Sequence, residues 1–190
     1  MPHIDGPPEA LSEPWSIEIG AFAAHWRSMR EGAIMPTSER FLDQPSARFA
    51  ANSYILDLTD EGAMVRYQGA ELIERWMRDF TGKELHEGRH PTFKARSIAN
   101  MHQVAGVPCG YVVRLTFSTS TGRKMRSNLL QLPLGAKPGR PPRIVCLASL
   151  EEARAYDETV AKYLETHSAD WVDLGAGLPD GAPLDLLQDR

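Results

Sequence analysis

Two cysteines in 190 residues are too few for a disulfide framework. Both, Cys109 and Cys146, sit in apolar, strand-like runs and read as small buried hydrophobes of a reducing cytoplasm. No apolar run reaches the ~20 residues that a membrane-spanning helix needs. The opening MPHIDGPPEA has neither the basic start nor the apolar stretch of a secretion signal. Positive charge is not in excess either: the net charge is −4, which removes any general attraction to nucleic acid or anionic lipid. The loop carrying Lys137, Arg140 and Arg143 is the best local exception and reads as a solvated hairpin loop. There is no glycine-rich phosphate loop, no nucleophile with a base at a recognisable spacing, and no paired acids in a cleft context. No catalytic residue is therefore named and the chain reads as a non-enzyme, although triads are assembled from scattered residues.

What is present is organised. Residues 1–13 are polar and Pro-rich and read as disordered. Residues 14–34 read as a packing helix: Trp15, Ile19, Phe22, Trp26 and Met29 recur at alternating four- and three-residue steps, the spacing of a seam. That seam serves its own domain, a dimer interface, or both through different faces of the helix. Residues 35–150 form the main domain. Residues 54–58 and 64–67 make a first hairpin around Thr59-Asp60-Glu61-Gly62.

The segment 64–85, MVRYQGAELIERWMRDFTGKEL, is the most informative. A short strand ends at Gly69, a breaker that tolerates any backbone angle. Leu72, Ile73, Trp76, Met77 and Phe80 then fall on one helical face, with Glu71 and Glu74 each four residues ahead of an arginine, Arg75 and Arg78. Gly82 reads as the C-cap. Residues 93–104 can form a second helix. Residues 110–118 alternate, with Tyr111, Val113, Leu115 and Phe117 on one face. Strands over 124–134 and 143–148 follow. Ser149 and Glu152 have capping-box spacing ahead of a C-terminal helix over 151–168, whose apolar side is Ala153, Tyr156, Val160, Tyr163 and Leu164. Residues 169–190 read as a flexible tail, in which Leu184, Leu186 and Leu187 are the apolar positions. The order β-β-α-α-β-β-β gives an α+β fold, a five-stranded antiparallel sheet with helices over one face.

Strand, glycine, short amphipathic helix and Thr-Gly resembles the front half of a bacterial PAS domain. Trp26-Arg27 with Arg30, Met35-Pro36-Thr37, and Leu129-Leu130-Gln131-Leu132-Pro133-Leu134 resemble a subfamily of small stand-alone bacterial PAS proteins. The likeness runs from about Phe22 to Glu152. One departure is Gly69-Ala70 in place of Gly-Thr, the loss of a hydroxyl N-cap worth about 1 kcal/mol. The resemblance implies a cytoplasmic sensory or signalling module that binds a small molecule, a protein partner or both, acts as a homodimer, and has no output domain of its own. The alternative is an interaction scaffold whose cavity is filled by its own side chains, Trp76 and Phe93 acting as plugs.

The resemblance also places a ligand cavity beside the second helix. Haem-binding relatives often take an axial histidine from that helix, which makes His102 the candidate ligand. Flavin photosensing is disfavoured, because light-sensing relatives need a cysteine just after the short helix and TGKELHEG has none. Trp76, Phe93 and Tyr111 are candidate cavity walls, and Arg114, Asn128 and Gln131 candidate polar contacts, Arg114 favouring an anionic ligand. His86-Glu87-Gly88-Arg89-His90 matches the zinc-peptidase pattern H-E-x-x-H, which would make a zinc-dependent hydrolase. That chemistry needs a helix; Gly88 and Pro91 oppose one, and the reading is a loop with no metal site.

Overall fold

The computed structural model describes residues 17–43, 46–155 and 157–184. They form α1 (Ile17–Ser28), α2 (Ser38–Asp43), α3 (Ala47–Ala50), β1 (Ser53–Thr59), β2 (Gly62–Gln68), α4 (Ala70–Trp76), α5 (Pro91–Gly106), β3 (Cys109–Thr119), β4 (Lys124–Leu134), β5 (Arg143–Leu150) and β6 (Val160–Asp173). All six strands join one antiparallel sheet in the order β2-β1-β5-β4-β3-β6. From β1 to β5 the elements follow the expected order; the sixth strand is new.

Alternation assigns each strand residue to a face. Ile144, Cys146 and Ala148 of β5 enter one core with Leu72 of α4 and Met101 and Val104 of α5. Val145 and Leu147 enter the other with α1, Phe41 of α2 and Phe49 of α3. The sheet is thus covered on both faces, not one. This is why β5 reads as the nearly unbroken apolar run RIVCLASL.

The seam of α1 packs on this sheet. Ile19, Phe22, Trp26 and Met29 are at most 4% exposed within their own chain. They therefore cannot also form the expected dimer surface; Trp15 lies outside the described residues, as do residues 1–13. The three motifs behind the family resemblance meet here. The Trp26 indole N–H donates to the Pro133 carbonyl at 2.9 Å. Gly135 N–H donates to the Pro36 carbonyl and receives Ser38 N–H on its own carbonyl, both at 2.9 Å. Pro133 is tolerated in a central strand because Gln131 is the last β4 residue paired with β3, so no ladder bond to β3 is lost there.

The segment around α4 departs from expectation in three places. Gly69 has an ordinary φ of −71°, so it is not needed for backbone freedom. A Cβ there would lie 2.1 Å from the Ala50 carbonyl oxygen and 2.3 Å from that of Ala51: the need is close approach. Gly69 is itself the N-cap, so Ala70 occupies the first helical position and its missing hydroxyl removes no cap. Instead the Ala51 carbonyl takes the Glu71 N–H at 3.1 Å. The helix stops at Trp76, capped by Met77 in the left-handed conformation (φ 51°); Gly82 is left-handed too (φ 77°) but lies beyond the helix end. Buried Gln68 draws the chain away: its amide donates to the Arg78 carbonyl at 3.0 Å and accepts Phe80 N–H at 2.8 Å. Arg75 is buried too, donating to the Ala148 carbonyl and to Asn52.

The expected C-terminal helix is a strand. Ser149 ends up buried in β5, its hydroxyl donating to Glu18 at 2.5 Å rather than capping a helix. β6 pairs along the whole of β3, but the register slips three times, leaving His167, Leu164 and Ala161 without partners in the ladder. An extra residue at every third position turns a period of two into a period of three. Val160, Tyr163, Thr166 and Ala169 consequently face the sheet's α5 side, and at three-residue steps they imitate a helical stripe. Tyr156 lies outside the described residues. The tail is docked as far as Leu184, whose N–H and carbonyl both bond the Asn100 side chain of α5 at 2.9 Å. Leu186 and Leu187 lie outside the described residues.

The connection from β5 to β6 is anchored by Glu158. Its carboxylate accepts from Thr121 at 2.7 Å, from Thr119 and Ala155 N–H at 3.1 Å, and from two Arg123 nitrogens at 3.2 and 2.8 Å. The Thr121 hydroxyl and Ala155 N–H, with Arg123 and Thr119, hold its pKa at about 2 against an ordinary 4.5. A depressed carboxylate stabilises the fold above its unfolded pKa and loses that contribution as pH falls through the folded one. Melting temperature should therefore fall between pH 4.5 and about 2. Glu158→Gln should melt lower than the parent at neutral pH and show a flatter acid limb; an unchanged limb would contradict this anchoring.

Candidate functional site

On the α5 side of the sheet lies a cavity of about 360 Å³ that opens to the surface. Its floor is Tyr54 of β1, Leu115 of β3 and Leu129 and Gln131 of β4, all brought to one face by strand alternation. Trp76 of α4 and Phe80 form one wall; Phe93, Ser97 and Met101 of α5 form another. Val160, Tyr163 and Thr166 of β6 close the third, and Arg78, Glu87, Gly88 and Arg89 stand among the residues around it. Trp76 packs edge-on against Tyr54 and Phe80, with ring centroids 5.7 and 6.2 Å apart.

Two oxygens in this lining, Gln131 Oε1 and Thr166 Oγ1, are buried and make no hydrogen bond within the chain. A buried polar atom left unpaired is costly, which marks both as points where a ligand donor would be favourable. Arg89 lies over the Tyr163 ring at 5.4 Å, and Arg78 pairs with Glu87. Burial raises the Tyr54 hydroxyl well above its ordinary pKa and raises that of Tyr163. Both phenols remain neutral donors at physiological pH.

The loop between α4 and α5 is fixed along the edge of β2. Gly82 N–H donates to the Val65 carbonyl, Val65 N–H to Lys83, and Leu85 N–H to Ala63. This edge pairing sets Glu84 and His86 side by side. His86 is 4% exposed. Its Nδ1 lies 3.1 Å from Glu84 Oε1, and its Nε2 lies 2.9 Å from the Ser97 hydroxyl. Burial pushes the imidazole below its ordinary pKa, with Glu84 pulling upward. Burial alone would raise the Glu84 carboxyl; the His86 backbone N–H, the His86 ring and Lys94 more than offset that and hold it below its ordinary value. The trio is therefore carboxylate, neutral imidazole and hydroxyl.

Of the residues singled out in the sequence, Trp76, Phe93 and Gln131 line the cavity. Tyr111 is buried in the core beneath Trp171 and does not. Arg114 and Asn128 are cross-strand partners on the opposite face, one residue out of phase with the lining, and both bond Glu151. They brace the sheet and are not anion contacts in the cavity. His102 is exposed: α5 turns Ser97, Asn100, Met101 and Val104 inward, so His102 does not reach the cavity as a haem ligand would. The zinc pattern also dissolves. Both His86 nitrogens are engaged, and His90 is the exposed N-cap of α5, accepting Thr92 N–H. Among the described residues no group of three metal-ligating side chains comes together.

Sequence reasoning missed Val160, Tyr163 and Thr166, hidden by the bulges, and the Glu84–His86–Ser97 chain. A signal for the latter existed: Ser97 shares the inward stripe of α5 with Met101 and Val104, a polar group where an apolar one belongs.

No family model matches the chain, and no curated protein matches it. A solved structure of a point variant of RsLOV is similar at a TM-score of 0.41 and 12% identity, over 56% of this chain. The match spans 63% of that chain, less than two thirds of its length. No helix among the described residues is long and apolar enough to cross a membrane.

Proposed function

We propose that this chain is a PAS-type sensory module that takes a small molecule into the 360 Å³ cavity and alters its contacts with a protein partner. The observation that carries this reading is an aromatic-walled cavity with two buried, unpaired oxygens, Gln131 Oε1 and Thr166 Oγ1. An interior filled by its own side chains would leave no such room, and Trp76 and Phe93 stand at the walls rather than in the space between them. The two free thiols suit a cytoplasmic setting.

Transmission follows from which elements the ligand touches. α5, β6 and the α4–α5 loop all contribute lining, and β6 is an edge strand tied to α5 through the tail at Asn100. A ligand shifts these elements by at most its differential affinity for two arrangements. The partner and a second copy of the chain would read that shift at the β6 edge or on the outer side of α1, where Ile17 is exposed. The covered seam is excluded from that contact.

Trp76→Ala separates wall from plug. Trp76 is half-buried, so its loss should cost less than the about 3–5 kcal/mol of a fully buried tryptophan. It should also weaken retention of a cavity-bound probe severalfold. A full core-type loss of stability with probe binding unchanged would contradict the open cavity.

A further inference from the structure

We propose that Ser97 is a nucleophile, with His86 as its general base and Glu84 as the group that orients the base, acting on small aryl or short-chain acyl esters held in the cavity. The inference rests on the reading of the cavity as open to small molecules.

The three side chains come from two independently fixed pieces of chain. Edge pairing of residues 82–85 with β2 sets Glu84 and His86, and the body of α5 sets Ser97. With Nδ1 against the carboxylate at 3.1 Å, the ring proton belongs on Nδ1 and the Nε2 lone pair faces the Ser97 hydroxyl at 2.9 Å. This is the order nucleophile, base, orienting acid that activates a hydroxyl. Ser97 and His86 both line the cavity, so an acyl group bound there meets the hydroxyl. The side chains are 6%, 4% and, for the Glu84 side chain, 16% exposed, which shields the relay from water. His86 is held neutral by burial, the form a base needs, and Arg89 and Lys94 are the cations that bear on it. Arg89 also lines the cavity and is the candidate partner for the developing oxyanion.

The chemistry balances. Ser97 Oγ bonds the ester carbonyl carbon while its proton passes to His86 Nε2. The carbonyl-to-alkoxy bond breaks, and the alcohol leaves with that proton. Water then attacks the acyl-serine, gives a proton to Nε2, and the acid departs as that proton returns to Ser97. Glu84 touches neither ester nor water and is a positioning residue.

The test is labelling of the full chain with a fluorophosphonate probe, read by intact mass and by peptide mapping, beside binding of 8-anilinonaphthalene-1-sulfonate. The expected result is one adduct per chain on Ser97, absent in Ser97→Ala, and slowed roughly 10²–10⁴-fold in His86→Gln with the circular dichroism spectrum retained. The labelling rate should rise with pH as His86 deprotonates. Glu84→Gln should lower the plateau and move the midpoint to lower pH, because the lost carboxylate was raising the imidazole pKa; a merely structural Glu84 would leave the midpoint in place. Sulfonate binding without a Ser97 adduct, or an adduct formed equally fast in His86→Gln, overturns the nucleophile and leaves the binding cavity standing. Neither binding nor adduct overturns both.

Discussion

Trp26→Ala is expected to cost about 3–5 kcal/mol, the range for emptying a fully buried tryptophan site. That corresponds to a fall in melting temperature of about 6–20 °C for a chain of this size. The side chain is 1% exposed. It fills the space between α1 and the sheet and joins α1 to β4 through its bond to the Pro133 carbonyl at 2.9 Å. Removal leaves a cavity and an unpaired carbonyl together. Trp26→Phe keeps most of the volume and should lose much less. Thermal or urea unfolding of the three proteins checks the ordering. A variant that changed oligomeric state while its melting temperature held would instead put Trp26 at a subunit interface.

Arg143→Ala should cost about 3 kcal/mol, measured by urea unfolding. Arg143 Nε donates to Asp57 Oδ1 at 2.5 Å across the β1–β5 pairing, with side-chain exposures of 8% and 18%. Removing one partner of a buried ion pair leaves the other charge uncompensated. Arg66, 3.6 Å from Asp57, offsets part of that loss and keeps the value at the low end of the range. The double variant Asp57→Ala with Arg143→Ala should cost less than the sum of the single ones, because the second substitution removes the stranded charge. Strict additivity would show that the pair does not interact. In the sequence Arg143 stands beside Lys137 and Arg140 as part of a solvated basic loop. The structure separates them, since Arg143 opens β5 while Lys137 reaches the surface acid Glu39.

What the sequence makes legible follows from local periodicity. The first hairpin, α5 and β3 to β5 appear where alternation or helical spacing places them, whereas α4 begins as expected but ends at Trp76, short of the expected stripe through Met77 and Phe80. The alternation of Tyr111, Val113, Leu115 and Phe117 predicted the face of β3 that carries Leu115 to the cavity. β6 was illegible for a definite reason: bulges at Ala161, Leu164 and His167 rewrote its period. Two of the three candidate polar residues, Arg114 and Asn128, failed on phase. Gln131 and Asn128 are three residues apart on one strand and necessarily face opposite ways, so only one of them reaches the cavity. The Glu84–His86–Ser97 chain depends on a loop lying along the β2 edge, a non-local pairing that no spacing in the sequence encodes.

The same non-local pairing ties the cavity to the rest of the fold. Residues 82–85 hold the loop that carries His86, α5 holds Ser97, β6 holds Thr166, and β4, on the far side of β3, holds Gln131.

The central claim is that this cavity takes up a small molecule. A native mass spectrum of the purified chain, recorded with and without 8-anilinonaphthalene-1-sulfonate and beside the denatured mass, tests it most directly. The account predicts one small-molecule adduct per chain, either co-purified or supplied by the sulfonate, lost on denaturation. A bare chain under both conditions would contradict it.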